Sequence, residues 1–258
     1  MKTNKLLVNL GKKYPASLSE KWDFPLHQIG KLKEETNTIL LCLDFDEIVY
    51  KYMEENNLFS KVDLIITHHP FIFGKYNEII KNDSKKSILC ENLLKNNQVI
   101  YSYHTCFDTA KDGMNDALAN ELMLKNIHPL TSCPMARGGE LEKEMNIYDF
   151  AKYAKEKLNI NYGLLLPYGV KNIKTVAIIG GGGSGYFKDA MLESYDIYIS
   201  GDCPHHVRRD IITSNYNYLD LPHEIEKIFV KQMKKILLTI DPTLNIIVVD
   251  HEKEPTVI

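Results

Sequence analysis

The sequence predicts an α/β fold: two interlinked lobes of related β-α-β-α-β topology with mostly parallel strands. Three observations predict it. Near-continuous apolar runs of strand length alternate with amphipathic stretches, the pattern of a parallel sheet covered on both faces. The same order of elements returns in the second half of the chain. In both halves the polar, chemistry-bearing residues fall just after the apolar runs.

Taken in order, an N-terminal segment reads as helical and carries the only tryptophan, Trp22. Residues 38–45 form an apolar strand, and residues 46–58 an amphipathic helix with Ile48, Val49, Tyr52 and Met53 on one side. A strand at 63–67, a helix at 84–95 and a strand at 99–103 complete the first copy. The second copy runs as strand 175–179, helix 186–193, strand 196–200, short helix 206–213 and strand 216–219. A long helix over 223–238 and a strand over 244–249 close the chain. Between the copies lie a stretch around Gly138-Gly139 and a helix over 146–158. The expected organisation is one unit with lobes at 1–128 and 129–258.

Composition narrows the function classes. With 44% apolar and 25% charged residues over 258 positions, the chain has the balance of a globular protein with a substantial core. A net charge of −3 argues against a broad electrostatic grip on nucleic acid or an anionic membrane. The five cysteines are scattered and form no CxxC pair, which fits a reducing compartment and gives no thiolate zinc site. No apolar run is long enough for a signal-peptide core or a membrane span, so a cytoplasmic location is expected.

Four segments concentrate the chemistry: Thr67-His68-His69-Pro70, His104 to Asp108, Gly201 to His206, and Asp220 to Glu226. Each follows a strand of one copy, at the edge where open parallel sheets place ligand sites. Six of the nine histidines (His68, His69, His104, His205, His206 and His223) lie in these segments. Imidazole and carboxylate donors without thiolate suit zinc, manganese, iron, nickel or cobalt. Adjacent residues of a strand project to opposite sides, so His68 and His69 are read as ligands of two different ions. His223 and Glu226, three apart, share a helix face, and Glu226 has the two oxygens needed to bridge such ions.

In these segments the chain resembles the NIF-three-like family, whose members are often labelled GTP cyclohydrolase 1 type 2 homologs. The resemblance runs through Ile66 to Pro70, His104-Thr105 with Asp108, Gly113 to Asp116 and Gly139-Glu140-Leu141. It continues through Gly180 to Gly185, Ser200-Gly201-Asp202 with His206, and the His223…Glu226 pair. It implies the NIF-three-like fold and a homohexamer. It also implies two divalent metal ions, with His68 on one, His69 and Asp108 on the other, His223 beside the first and Glu226 between them. Many members place the bridging glutamate four residues after the histidine and a glycine before it. Here Pro222 precedes His223, and the carboxylates stand at +1 (Glu224) and +3 (Glu226); Glu226 keeps the shared face and is preferred.

Around these ligands, His104 and His206 are candidates for proton transfer, since imidazole titrates near neutrality. Asp202 suits the task of fixing a ligand histidine's tautomer, or of assisting catalysis. Gly180 to Gly185 satisfies GxGxxG, a weak signal among four consecutive glycines; it reads as dinucleotide binding, anion docking or a tight turn beside the metal pocket. Gly113 and Asn115 are expected to cap the helix that follows. Phe71 and Phe73 either line a base-binding pocket or, as is commoner for such residues, pack into the core. The activity expected is metal-dependent hydrolysis, with a nucleotide or phosphoester as substrate and, from the family label, GTP losing formate. The alternative is a metal-binding or regulatory protein without turnover.

Overall fold

The computed structural model describes residues 1–258. Its strands are β1 (Leu26–Ile29), β2 (Thr38–Cys42), β3 (Leu64–Thr67), β4 (Ile100–Ser102), β5 (Lys125–Pro129), β6 (Arg137–Asn146), β7 (Leu164–Pro167), β8 (Asn172–Ile178), β9 (Ile197–Ser200), β10 (Asn217–Asp220) and β11 (Asn245–Val248). The chain divides into two compact units, residues 1–110 with 229–252 and residues 111–228 with 253–258. The sequence reading set a single break after residue 128. The structure instead leaves the first unit at Ala110 and returns to it at Phe229.

The first unit holds a five-stranded sheet in the order β1-β4-β3-β2-β11. Strands β11, β2, β3 and β4 are parallel, and β1 joins β4 antiparallel. All four residues of β3 are buried, as the unbroken apolar run requires of a strand covered on both faces. Asp46 turns the chain from strand into helix: its carboxylate accepts from the amides of Ile48 and Val49 and caps Glu47–Glu55. That helix sends Val49 and Met53 into a core shared with Leu40, Ile65, Leu89, Leu93 and Ile100.

The second unit holds a six-stranded sheet in the order β5-β6-β8-β9-β10-β7. Its centre, β8-β9-β10, is parallel and repeats the arrangement of β2-β3-β4, with the helix Phe187–Leu192 at the step that Glu47–Glu55 takes in the first unit and His205–Thr213 at the step of Ser84–Lys95. Strands β5, β6 and β7 pair antiparallel, so this sheet is mixed. The stretch around Gly138-Gly139, given no element in the sequence reading, lies in a strand, β6. A Cβ on Gly138 would lie 1.8 Å from the Tyr195 hydroxyl, so glycine at that point admits a tyrosine against the sheet.

The long helix expected from residue 223 begins later. His223–Lys227 is a 3-10 turn and the α-helix runs Ile228–Ile240. Asn115 does not cap: it lies inside the helix Met114–Glu121, fully buried, donating to Met135 O and accepting from the Gly180 amide. No helix is long and apolar enough to cross a membrane.

Candidate metal centre

Two groups of site residues are built, one in each unit. In the first, the sheet's hydrogen bonding continues past β3: the amides of His68 and His69 both donate to Leu43 O, at 3.0 and 3.2 Å. Thr67 Oγ1 donates to His69 O at 2.8 Å and pairs with Ser102 Oγ at 2.7 Å, pinning the turn that carries both histidines. Because the two residues lie beyond the strand, its alternation no longer applies. Their rings stand 4.9 Å apart, and each is within 5.5 Å of His104. One ligand nitrogen from each of His68, His69 and His104 lies within 4.8 Å of the others. The alternation argument for two separate ions therefore lapses.

The tautomers are set by chemistry. His68 Nδ1 contacts Tyr103 O at 2.8 Å, His69 Nδ1 contacts Asp44 Oδ2 at 2.7 Å, and His104 Nδ1 contacts Asp23 Oδ1 at 2.8 Å. Carbonyl and carboxylate oxygens only accept, so each Nδ1 carries the proton and donates it. In the neutral ring, Nε2 is then the nitrogen with the lone pair, the form a metal ligand needs. Asp108, on the short helix Thr105–Thr109 after β4, is buried and presents Oδ1 3.6 Å from His68 Nε2. The resemblance paired Asp108 with His69; the structure sets it against His68. Burial pushes the Asp23 carboxyl up, but hydrogen bonds from His104 and Thr105 bring it below the ordinary value of 3.8.

In the second unit, His223 and the buried Glu226 stand on the 3-10 turn with Nε2 and Oε2 3.0 Å apart. A 3-10 turn has three residues per turn, so positions three apart superpose more closely than on an α-helix. Glu224 does not share that face, and Pro222, as the residue before the turn, fits with its fixed φ. Asp202 Oδ2 accepts from His223 Nδ1 at 2.5 Å, so His223 has the same arrangement as the three histidines of the first unit.

The glycine-rich segment after β8 serves this pair. Gly181 has φ +63°, and a Cβ there would meet Glu226 Oε1 at 2.2 Å and His223 Cε1 at 3.1 Å. Its neighbours' amides are consumed internally: Gly180 N donates to Asn115 Oδ1, and Gly183 N to Ser200 Oγ and Gly181 O. The helix that follows has only six residues, Phe187–Leu192. This is a tight turn under a carboxylate, not a pyrophosphate cradle. His206, with His205, is exposed on the helix His205–Thr213 and joins neither group.

The profile of the DUF34/NIF3 (NGG1p interacting factor 3) family matches residues 1–255. The chain belongs to the DUF34/NIF3 family. Within it, the chain is 30% identical over 266 residues to a Clostridium perfringens protein named "GTP cyclohydrolase 1 type 2 homolog", covering 99% of this chain and 98% of that one. Among solved structures it is similar to a Bacillus cereus protein related to NIF3, with TM-score 0.88 and 20% identity over 100% and 99% of the two chains. It is also similar to reduced HcgD from Methanocaldococcus jannaschii, with TM-score 0.79 and 26% identity over 96% and 97%.

Two members of the candidate centre escaped the sequence reading. Asp44 follows β2 just as His69 follows β3, and its place after a parallel strand was a usable signal. Asp23 precedes β1, the antiparallel edge strand, and no pattern in the sequence marks it.

Proposed function

We propose that the protein is a metal-dependent hydrolase holding two divalent ions through His68, His69, Asp108, His223 and Glu226. The observation that carries this reading is the shared state of the histidines. In the four site histidines, His68, His69, His104 and His223, Nδ1 is committed to an oxygen acceptor. A ligand histidine needs such a partner to fix its tautomer and orient its ring. The donor set of imidazole and carboxylate fits zinc, manganese, iron, nickel or cobalt.

Bound divalent ions supply acidified water and neutralise negative charge on the attacked group. The chain's own residues do the rest. Tyr103 O, Asp44 and Asp202 orient the ligand rings. His104, held by Asp23, moves a proton at Nε2. Glu226, buried against Gly181, would help hold the ions with its carboxylate. The name carried by the Clostridium relative makes a purine nucleotide the first substrate to try, with formate as product; phosphoesters come next. We further propose a homohexamer of this 29.7 kDa chain in the cytoplasm, where five cysteines that form no disulfide are at home.

Metal analysis of gently purified protein tests the centre, beside a hydrolysis screen over nucleotides and phosphoesters. Two equivalents of metal, lost in His68→Ala and Glu226→Gln but kept in Glu224→Gln, are expected, with turnover that follows metal content. Full metal with no turnover across the screen leaves a metal-binding protein and removes the hydrolase. Sedimentation gives the assembly directly, and a monomer would remove the hexamer.

A further inference from the structure

The first unit exposes three large aromatic rings beside the histidine cluster. Trp22 is 53% exposed, Phe24 40% and Phe73 54%. Scattered exposed apolar residues are ordinary, but a contiguous group marks a binding surface. These three are contiguous: Phe73 packs edge-on against Phe24 at 5.7 Å and lies 6.1 Å from Trp22. Phe71, two residues away, shows the alternative fate, buried in the core against Phe45.

The rings are continuous with the polar site. His104 is edge-on to Trp22 at 5.7 Å and to Phe73 at 6.4 Å. The same imidazole contributes to the group of ligand nitrogens with His68 and His69. An occupant of this surface thus meets aromatic carbon on one side and, about one ring's width away, nitrogen donors or the ions proposed to sit on them.

We propose that Trp22, Phe24 and Phe73 form a stacking platform for a flat nitrogen heterocycle, the class to which nucleobases belong, whose polar edge faces His104. The polar end of this assignment rests on the metal-hydrolase reading; the flat end rests on the ring contacts alone. Phe73 holds the group together, edge-on to Phe24 and tilted against Trp22, so little side-chain freedom is lost when a fourth ring is added. An aliphatic chain has no polar atom to offer the imidazole edge. A quaternary ammonium group would suit the rings but would be repelled by divalent cations beside them.

Trp22 is the sole tryptophan, so its emission reports the platform directly. Metal-loaded and metal-stripped protein are titrated with guanosine 5′-monophosphate, cytidine 5′-monophosphate, ribose 5-phosphate and choline, with calorimetry giving the affinities. Both nucleotides are expected to quench Trp22 saturably, and ribose 5-phosphate and choline are not. Phe73→Ala is expected to weaken nucleotide binding about tenfold, with metal content unchanged and Phe73→Tyr restoring affinity. Equal binding of ribose 5-phosphate and nucleotides, binding of choline, or an unaltered affinity in Phe73→Ala would overturn the platform. So would Trp22 quenching that follows protein concentration without added ligand, which assigns the rings to a second copy of the chain. If the protein takes up no metal yet nucleotides still quench in the Phe73-dependent way, the hydrolase reading falls and the platform stands.

Discussion

Asp44 illustrates how much of this site is held by residues that touch no ion in the proposal. Its carboxylate accepts a hydrogen bond from His69 Nδ1 at 2.7 Å and so decides which nitrogen of that ring carries the lone pair. Asp44→Ala is expected to weaken divalent-metal affinity by about 10–100-fold while leaving the circular dichroism spectrum intact, measured by competition with a chromogenic chelator. Unchanged affinity would show that His69 is not a ligand. Gly181 is the matching case in the second unit. Alanine there meets a φ of +63° and an overlap with Glu226 Oε1, so Gly181→Ala should cost about 1–2 kcal/mol and displace the carboxylate. Metal stoichiometry is expected to fall together with the unfolding midpoint. The proposed ligand histidines were legible as a cluster because they fall after strands in the sequence itself. Asp23 was not, because its value comes from a contact with His104 across 81 positions of chain.

At the scale of elements, the parallel strands were readable because burial on both faces makes them uniformly apolar, as in β3 and β9. Strands β5 and β7 are largely exposed or half-exposed edge strands, and β6 carries two glycines, so none of the three has that signature. The turn at His223–Lys227 was read as the start of an α-helix because i, i+3 spacing is common to both helix types. One junction between elements also carries a pH dependence. Asp63, just before β3, accepts from the amides of Asn37 and Thr38 at the start of β2 and from Lys33. Burial raises its carboxyl, but these donors outweigh burial and hold it below 3.8. A depressed folded value means the stabilisation is fully present above the unfolded value and disappears as pH falls through the folded one. Asp63→Asn is therefore expected to be less stable at neutral pH by about 1–2 kcal/mol, and to lose less stability than the parent between pH 5 and pH 3. Parallel denaturant curves at the two pH values check this; identical pH slopes would contradict it.

For the whole molecule, the proposed ligands are divided by the chain's own architecture. His68, His69 and Asp108 belong to the first unit, and His223 and Glu226 to the second. On the proposed ligand set, bound ions stabilise both units, because a ligand that binds only the native state adds RT ln(1 + [L]/Kd), about 2.7 kcal/mol at a hundred times Kd. For a chain of this length that is a rise of roughly 5–10 °C in the unfolding midpoint, reversed by a chelator. The single tryptophan separates the contributions, since Trp22 belongs to the first unit. In the parent protein, the midpoint followed by Trp22 emission should rise on adding metal. In Glu226→Gln the altered side chain lies in the other unit, yet the metal-induced rise seen at Trp22 should shrink to about 1–2 °C. Comparing each variant with and without chelator removes any intrinsic loss of stability from the readout. A full rise at Trp22 in Glu226→Gln would mean that the first unit's three histidines and Asp108 hold their metal alone, and that His223 and Glu226 serve something else.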